Sequence, residues 1–173
     1  MTEGGIWIGR KGLRAVLYVL LALLLTMIFI FSSQNGEAST GTSSSFTRRL
    51  LELLDARFTS LTAGAQRTIV SFTERHMRKL AHFIEFAMLG CLLRLLMETY
   101  VRRHASSISL AIGTCLAALD ELHQLFVSSR GASVLDVLLD SAGCLWGIVA
   151  GFMMIVGCLR WRVWRQQKRE AAV

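Results

Sequence analysis

Apolar residues gather in four long runs, at residues 13–31, 80–96, 108–126 and 134–159, with polar stretches between them. Each run is near or above the roughly 20 residues that an α-helix needs to cross a hydrocarbon core about 30 Å thick. Past Arg14 at its start, the first is interrupted only by Tyr18 and Thr26, whereas the second carries His82, Glu85 and Arg94. The fourth is long enough to span with tilt or to project beyond the bilayer. This pattern predicts an all-α fold, an integral membrane four-helix bundle.

The polar interruptions collect at particular run ends. The third run closes on Asp120, Glu121 and Gln124, and the fourth opens on Asp136 and Asp140. Only residues 127–133 lie between, and they contain Arg130. An ionisable group near the centre of a spanning helix costs about 2.5–3.5 kcal/mol on insertion, so such groups pair with one another or carry a function. Helical spacing puts them on shared faces. His82 and Glu85 are i,i+3 with Lys79 one turn earlier, Asp120 and Gln124 are i,i+4, and Asp136 and Asp140 are i,i+4. The last stripe continues into Gly143, Gly147 and Gly151, small residues at a spacing that lets a neighbouring helix approach closely.

Between the first two runs, residues 32–45 are rich in Ser, Thr and Gly and read as a flexible linker. Apolar residues then recur at 46, 50, 51, 54 and 58, the stripe of an amphipathic helix lying on the membrane surface, and residues 69–78 form a weaker second stripe. The organisation expected is an N-terminal tail and signal-anchor helix (1–31), an external linker with amphipathic helices (32–78), a three-helix core (79–159) and a basic tail (160–173).

Charge adds orientation. Arg10, Lys11 and Arg14 stand before and at the start of the first run, while residues 32–47 carry no cation, which places the N-terminus in the cytoplasm by the positive-inside rule. Four crossings return the basic tail to the same side, with Trp161 and Trp164 suited to the interface. Arg75, Arg78 and Lys79 run against the rule, because they would lie outside. In this orientation the polar ends of runs two, three and four meet at the external face and could close one pocket there. Arg94 falls near the cytoplasmic end of run two, where it can snorkel to the interface.

Composition agrees: 53% of the 173 residues are hydrophobic and mean hydropathy is +0.50, far above a water-soluble domain. The net charge of +7 is not a nucleic-acid signature, since the cations flank span ends, and no nucleic-acid partner is expected. Cys91, Cys115, Cys144 and Cys158 all fall within runs, which suits small packing residues rather than disulfides or a metal frame.

Several pieces in order resemble the VanZ-like family of small bacterial membrane proteins. They are Arg78-Lys79-Leu80-Ala81-His82-Phe83-Ile84-Glu85-Phe86 and Leu89-Gly90, then Asp120-Glu121-x-x-Gln124-x-Phe126, Arg130-Gly131-x-Ser133-x-x-Asp136 and Asp140-x-x-Gly143-x-x-x-Gly147. Ser128-Ser129 stand where the family often has proline, and Phe86 where it more often has tyrosine. The resemblance implies a context at the cell envelope, since the family is named for a protein associated with teicoplanin resistance; it supplies no reaction.

Three readings of the polar residues stay open. They could form a buried salt-bridge network that fixes helix register. They could bind the head group of a membrane lipid or lipid-linked envelope precursor, through Lys79, Glu85, Gln124, Arg130 and Asp140. Or they could form a membrane-embedded hydrolase or transferase, with His82 as general base and Asp120, Glu121 and Asp136 as its acidic partners. A metal-assisted version would use His82, Glu121, Asp136 and Asp140, although their spacing matches no established metal motif and no cofactor is named by the sequence. The head-group reading is the leading expectation.

Overall fold

A computed structural model describes residues 4–33, 36–55, 57–126 and 132–171 of the chain. Its helices are α1 (Gly4–Ser33), α2 (Gly36–Leu54), α3 (Ala63–Glu98), α4 (Ala105–Gln124) and α5 (Val134–Glu170), with short 3-10 turns at Phe58–Ser60 and Arg102–His104. Among the described residues there is no strand. Four stretches are long and apolar enough to cross a membrane: Arg10–Ser33, Ala63–Glu98, Arg102–Gln124 and Val134–Glu170. Their outward sides are apolar, with Leu23, Phe29 and Trp146 more than half exposed, as lipid-facing residues must be.

α3 is the centre of the molecule and touches α1, α2, α4 and α5. It runs unbroken through 36 residues, so the stripe at 69–78 is the first half of this helix rather than a separate element. The side chain of Thr62 caps its start by accepting from the backbone N–H of Ala65, and the chain contains no proline to break it. At 1.5 Å per residue it is about 54 Å long. That exceeds the hydrocarbon thickness, and its polar first half packs against α2 as a helical hairpin.

Two features of that hairpin differ from the sequence expectation. Gly36 onward is helical rather than a flexible linker, and the helix stops at Leu54 instead of continuing to Phe58. The stop is local. Asp55 Oδ1 accepts from the backbone N–H of Arg57 at 2.9 Å, a turn that competes with further helix. Phe58 then folds into a 3-10 turn and is buried instead of completing the stripe. Further along, α2 lies against α3, with Arg48 bonded to Gln66 and Thr47 buried.

α1 packs its Leu17, Leu21, Leu24 and Ile28 face onto the cluster of Phe86, Leu89, Leu93 and Leu96 on α3. Its polar end is pinned by Arg14, whose Nε donates to Thr99 Oγ1 at 3.0 Å and whose guanidinium covers the Tyr100 ring. The glycine stripe of α5 meets α3 backbone to backbone. A Cβ at Gly143 would fall on the Phe83 carbonyl oxygen and one at Gly147 on that of Ala87, while at Gly151 it would lie 3.2 Å from that of Cys91. Close approach is reciprocal, because a Cβ at Gly90 would strike the Cys144 backbone. Arg94 does not snorkel. It is 4% exposed and donates to Glu98 Oε2 at 2.6 Å, and Glu98 Oε1 also pairs with Arg102 at 2.8 Å.

Candidate functional site

Packing of α4 antiparallel to both α3 and α5, which run parallel to each other, brings the middle of α3, the last turn of α4 and the first turns of α5 to one end of the molecule. There they surround a cavity of about 410 Å³ lined by Arg75, Arg78, Lys79, His82, Glu121, Gln124, Asp136, Leu139 and Asp140. Each helix contributes one face: positions 75, 78, 79 and 82 of α3 follow i, i+3, i+4, i+7, and 136 and 140 of α5 are one turn apart.

The polar groups fall into separate partnerships. Lys79 Nζ bonds Asp136 Oδ1 at the partly exposed mouth. Asp136 sits in the first turn of α5, where a carboxylate also meets the positive end of the helix dipole. Glu121 Oε2 accepts from the backbone N–H of Ser133 at 2.8 Å, which ties the end of α4 to the start of α5. Gln124 Nε2 donates to Asp120 Oδ2 at 3.0 Å. His82 Nδ1 stands 3.8 Å from Glu85 Oε2, and Glu85 is buried one turn below. Asp140 is 2% exposed, and its Oδ1 has no hydrogen-bond partner.

His82, Asp120 and Asp140 each offer a ligand atom, and these three atoms lie within 4.8 Å of one another. They come from three helices, so no sequence spacing announces them as a group. Of the four residues considered for a metal from sequence, Glu121 and Asp136 are engaged elsewhere, and Asp120 takes their place beside His82 and Asp140. Arg130 lies outside the described residues.

Two lining residues, Arg75 and Arg78, were not foreseen as part of the site. Among the described residues neither forms an ion pair with a carboxylate, so both guanidinium groups are available at the mouth. Their signal was the helical phase shared with His82.

A second, apolar crevice of about 250 Å³ lies between α1, α3 and α4, lined mainly by Leu25, Ile28, Phe86, Leu89 and Leu119, with Asp120 and His123 at its polar end. Asp120 therefore stands between the crevice and the polar cavity. His123 faces α1, stacked on Phe29 and bonded to Ser33 Oγ at 3.1 Å. Cys144 is buried against Gly90 and Gly113, and all four cysteines are free thiols.

No curated protein and no solved structure matches the chain. A family profile described as VanZ/LLP1 matches residues 16–159, which takes in all four spans up to the basic tail and every lining residue of the cavity. With four helices long and apolar enough to span, and a match over most of its length, the chain is a multi-pass membrane protein that belongs to the VanZ/LLP1 family.

Proposed function

We propose that the cavity recognises the anionic head group of a membrane lipid or lipid-linked cell-envelope precursor, from the extracytoplasmic leaflet. One observation carries this reading: Arg75 and Arg78 line a membrane-end cavity with no carboxylate partner among the described residues, beside Lys79. Guanidinium groups suit phosphate oxygens, which they bind with paired, charge-assisted hydrogen bonds. Cavity size agrees, since ligand sites typically enclose about 300–1,000 Å³. Glu121, Gln124 and Asp136 then supply acceptors and a donor for hydroxyls, and Arg130 adds a further cation. The apolar crevice next to Asp120 offers a bed for the lipid tail, which favours a lipid-borne ligand over a free anion. The same orientation gives Arg75, Arg78 and Lys79 a reason to sit on the outer side against the positive-inside trend. Glycopeptide antibiotics act on precursors at that face, so altered teicoplanin susceptibility on expression belongs to this reading.

Native mass spectrometry of the delipidated full chain tests it, with an anionic phospholipid, a polyprenyl phosphate and a zwitterionic phospholipid offered in turn. Retention of the phosphate-bearing anionic lipids is expected, and the better retained of the two identifies the source. Arg75→Ala, Arg78→Ala and Arg130→Ala should each weaken it by about tenfold or more, because a hydrogen bond to a charged group contributes about 1.5–3 kcal/mol. Equal retention of all three lipids, or of wild type and variants, refutes the proposal.

A second reading, hydrolysis or transfer at the same head group, draws on the approach of His82 to Asp120 and Asp140. In it, His82 acts as general base on a water or acceptor hydroxyl.

A further inference from the structure

Beneath the cationic mouth, the cavity floor holds more carboxylates than its neighbours neutralise. Glu85, Asp120, Glu121 and Asp140 converge there from three helices, yet among the described residues no lysine or arginine pairs with any of them, since Lys79 pairs with Asp136 at the mouth. Glu121 is met by a backbone N–H and Asp120 by an amide, and both donors are uncharged. Asp140 is enclosed most completely, at 2% exposure, with Oδ1 unpartnered in the wall of the cavity. An uncompensated buried carboxylate is strongly destabilising, so a cation or a proton must complete this site.

We infer that His82, Asp120 and Asp140 hold a divalent metal ion of the manganese or zinc class. One imidazole and two carboxylates form a donor set suited to those ions, whereas calcium and magnesium favour oxygen alone. Metal–ligand bonds of about 2.0–2.2 Å let ligand atoms stand up to roughly 4 Å apart, so atoms within 4.8 Å converge with a small side-chain rotation. Glu85 Oε2, 3.8 Å from His82 Nδ1, lies near enough to serve as the outer carboxylate that orients a metal-bound imidazole. Gln124 performs the equivalent service for Asp120. Three protein ligands leave coordination positions open towards the cavity, directly below Arg75, Arg78 and Lys79. The ion supplies the charge the floor lacks. This inference stands without the head-group reading, since it concerns the protein with no lipid bound.

The test is a Mn²⁺ titration of the full-length protein in detergent, stripped of metal and lipid, with free Mn²⁺ followed by electron paramagnetic resonance. One saturable site per chain, displaced by Zn²⁺, is expected. Asp140→Asn and His82→Gln should each weaken it by at least about tenfold, the low end of what disturbing such a site does. Glu52→Gln, on the distant hairpin, should bind as wild type does. Absence of saturable Mn²⁺ binding by the wild type below about 1 mM, the weak limit of built oxygen-rich sites, overturns the inference and assigns a shared proton to Asp120 and Asp140. So does binding that survives both site substitutions. The wild-type titration decides even where a variant fails to accumulate. A protein that retains anionic lipid but not Mn²⁺ removes the metal and leaves the head-group proposal intact.

Discussion

Gly147 shows how one residue can set the geometry of the site. A Cβ there would land on the Ala87 carbonyl oxygen and crowd the Cys91 amide, and neither backbone atom can rotate away. α3 and α5 are therefore held at backbone contact, which is what brings Asp140 to His82 and Asp136 to Lys79. Gly147→Ala should lower stability by about 1–3 kcal/mol, the usual cost of overpacking, and should weaken ligand binding by moving α5. Gly157→Ala, ten residues on, meets nothing within 4 Å and should be neutral or slightly stabilising, because alanine favours helix. Thermal unfolding of both variants in detergent compares them directly, and equal melting temperatures would mean that the helices are not held at backbone contact. Asp140 illustrates the opposite principle: packing alone does not explain an acid kept at 2% exposure, since leucine would fill the space at less cost.

The helical hairpin of α2 and α3 hangs on another single side chain. Gln66 Nε2 donates to the carbonyls of Phe58 at 3.1 Å and Leu61 at 3.2 Å, while its Oε1 accepts from Arg48 on α2. One amide thus holds both the turn and the packed helix. Gln66→Ala should cost about 1–2 kcal/mol within the hairpin, given net values near 1 kcal/mol per bond, and leave the spanning helices unaffected. Limited trypsin digestion reads this as faster cleavage at Arg57 with an unchanged melting temperature; identical cleavage rates would show that the turn is held by something else. This element also marks how far the sequence could be read. Unbroken apolar runs made the four spans legible, and i,i+3 and i,i+4 acids made the polar cavity legible, because both patterns follow from helix geometry alone. The first half of α2 was not legible, because Ser, Thr and Gly disfavour helix in isolation. Arg75 and Arg78 were weighed by their side of the membrane rather than by helical phase, so their place in the cavity wall was missed. Arg94 was assigned to the interface although Glu98, four residues on, was the partner that lets it stay buried.

At the scale of the whole molecule, the arrangement has two unlike ends. One gathers the start of α1, the turn between α3 and α4 and the basic end of α5, as the Arg14–Thr99 and Tyr18–Tyr100 bonds require of antiparallel neighbours. The other holds the cavity and the α2–α3 hairpin. The first end carries Arg10, Lys11, Arg102, Arg103 and the cations of residues 160–169, so the positive-inside rule predicts that it faces the cytoplasm. Several cations at the cavity end have other employment: Arg48 pairs with Glu52, Lys79 with Asp136, and Arg75 and Arg78 line the cavity, while Arg49, Arg57 and Arg67 on the hairpin run against the rule. The cavity should therefore open to the outside. Leu53→Cys, at a position 84% exposed on the hairpin, should react with a membrane-impermeant maleimide in intact cells. Gln167→Cys, on the exposed end of α5, should react only after permeabilisation, with the wild type and its four native thiols as background. The opposite pattern would invert the protein and place the cavity at the cytoplasmic leaflet. That outcome would remove externally exposed envelope precursors as ligands. It would leave the cationic mouth and the cluster of His82, Asp120 and Asp140 unchanged, because both depend on how α3, α4 and α5 pack and not on which way they face.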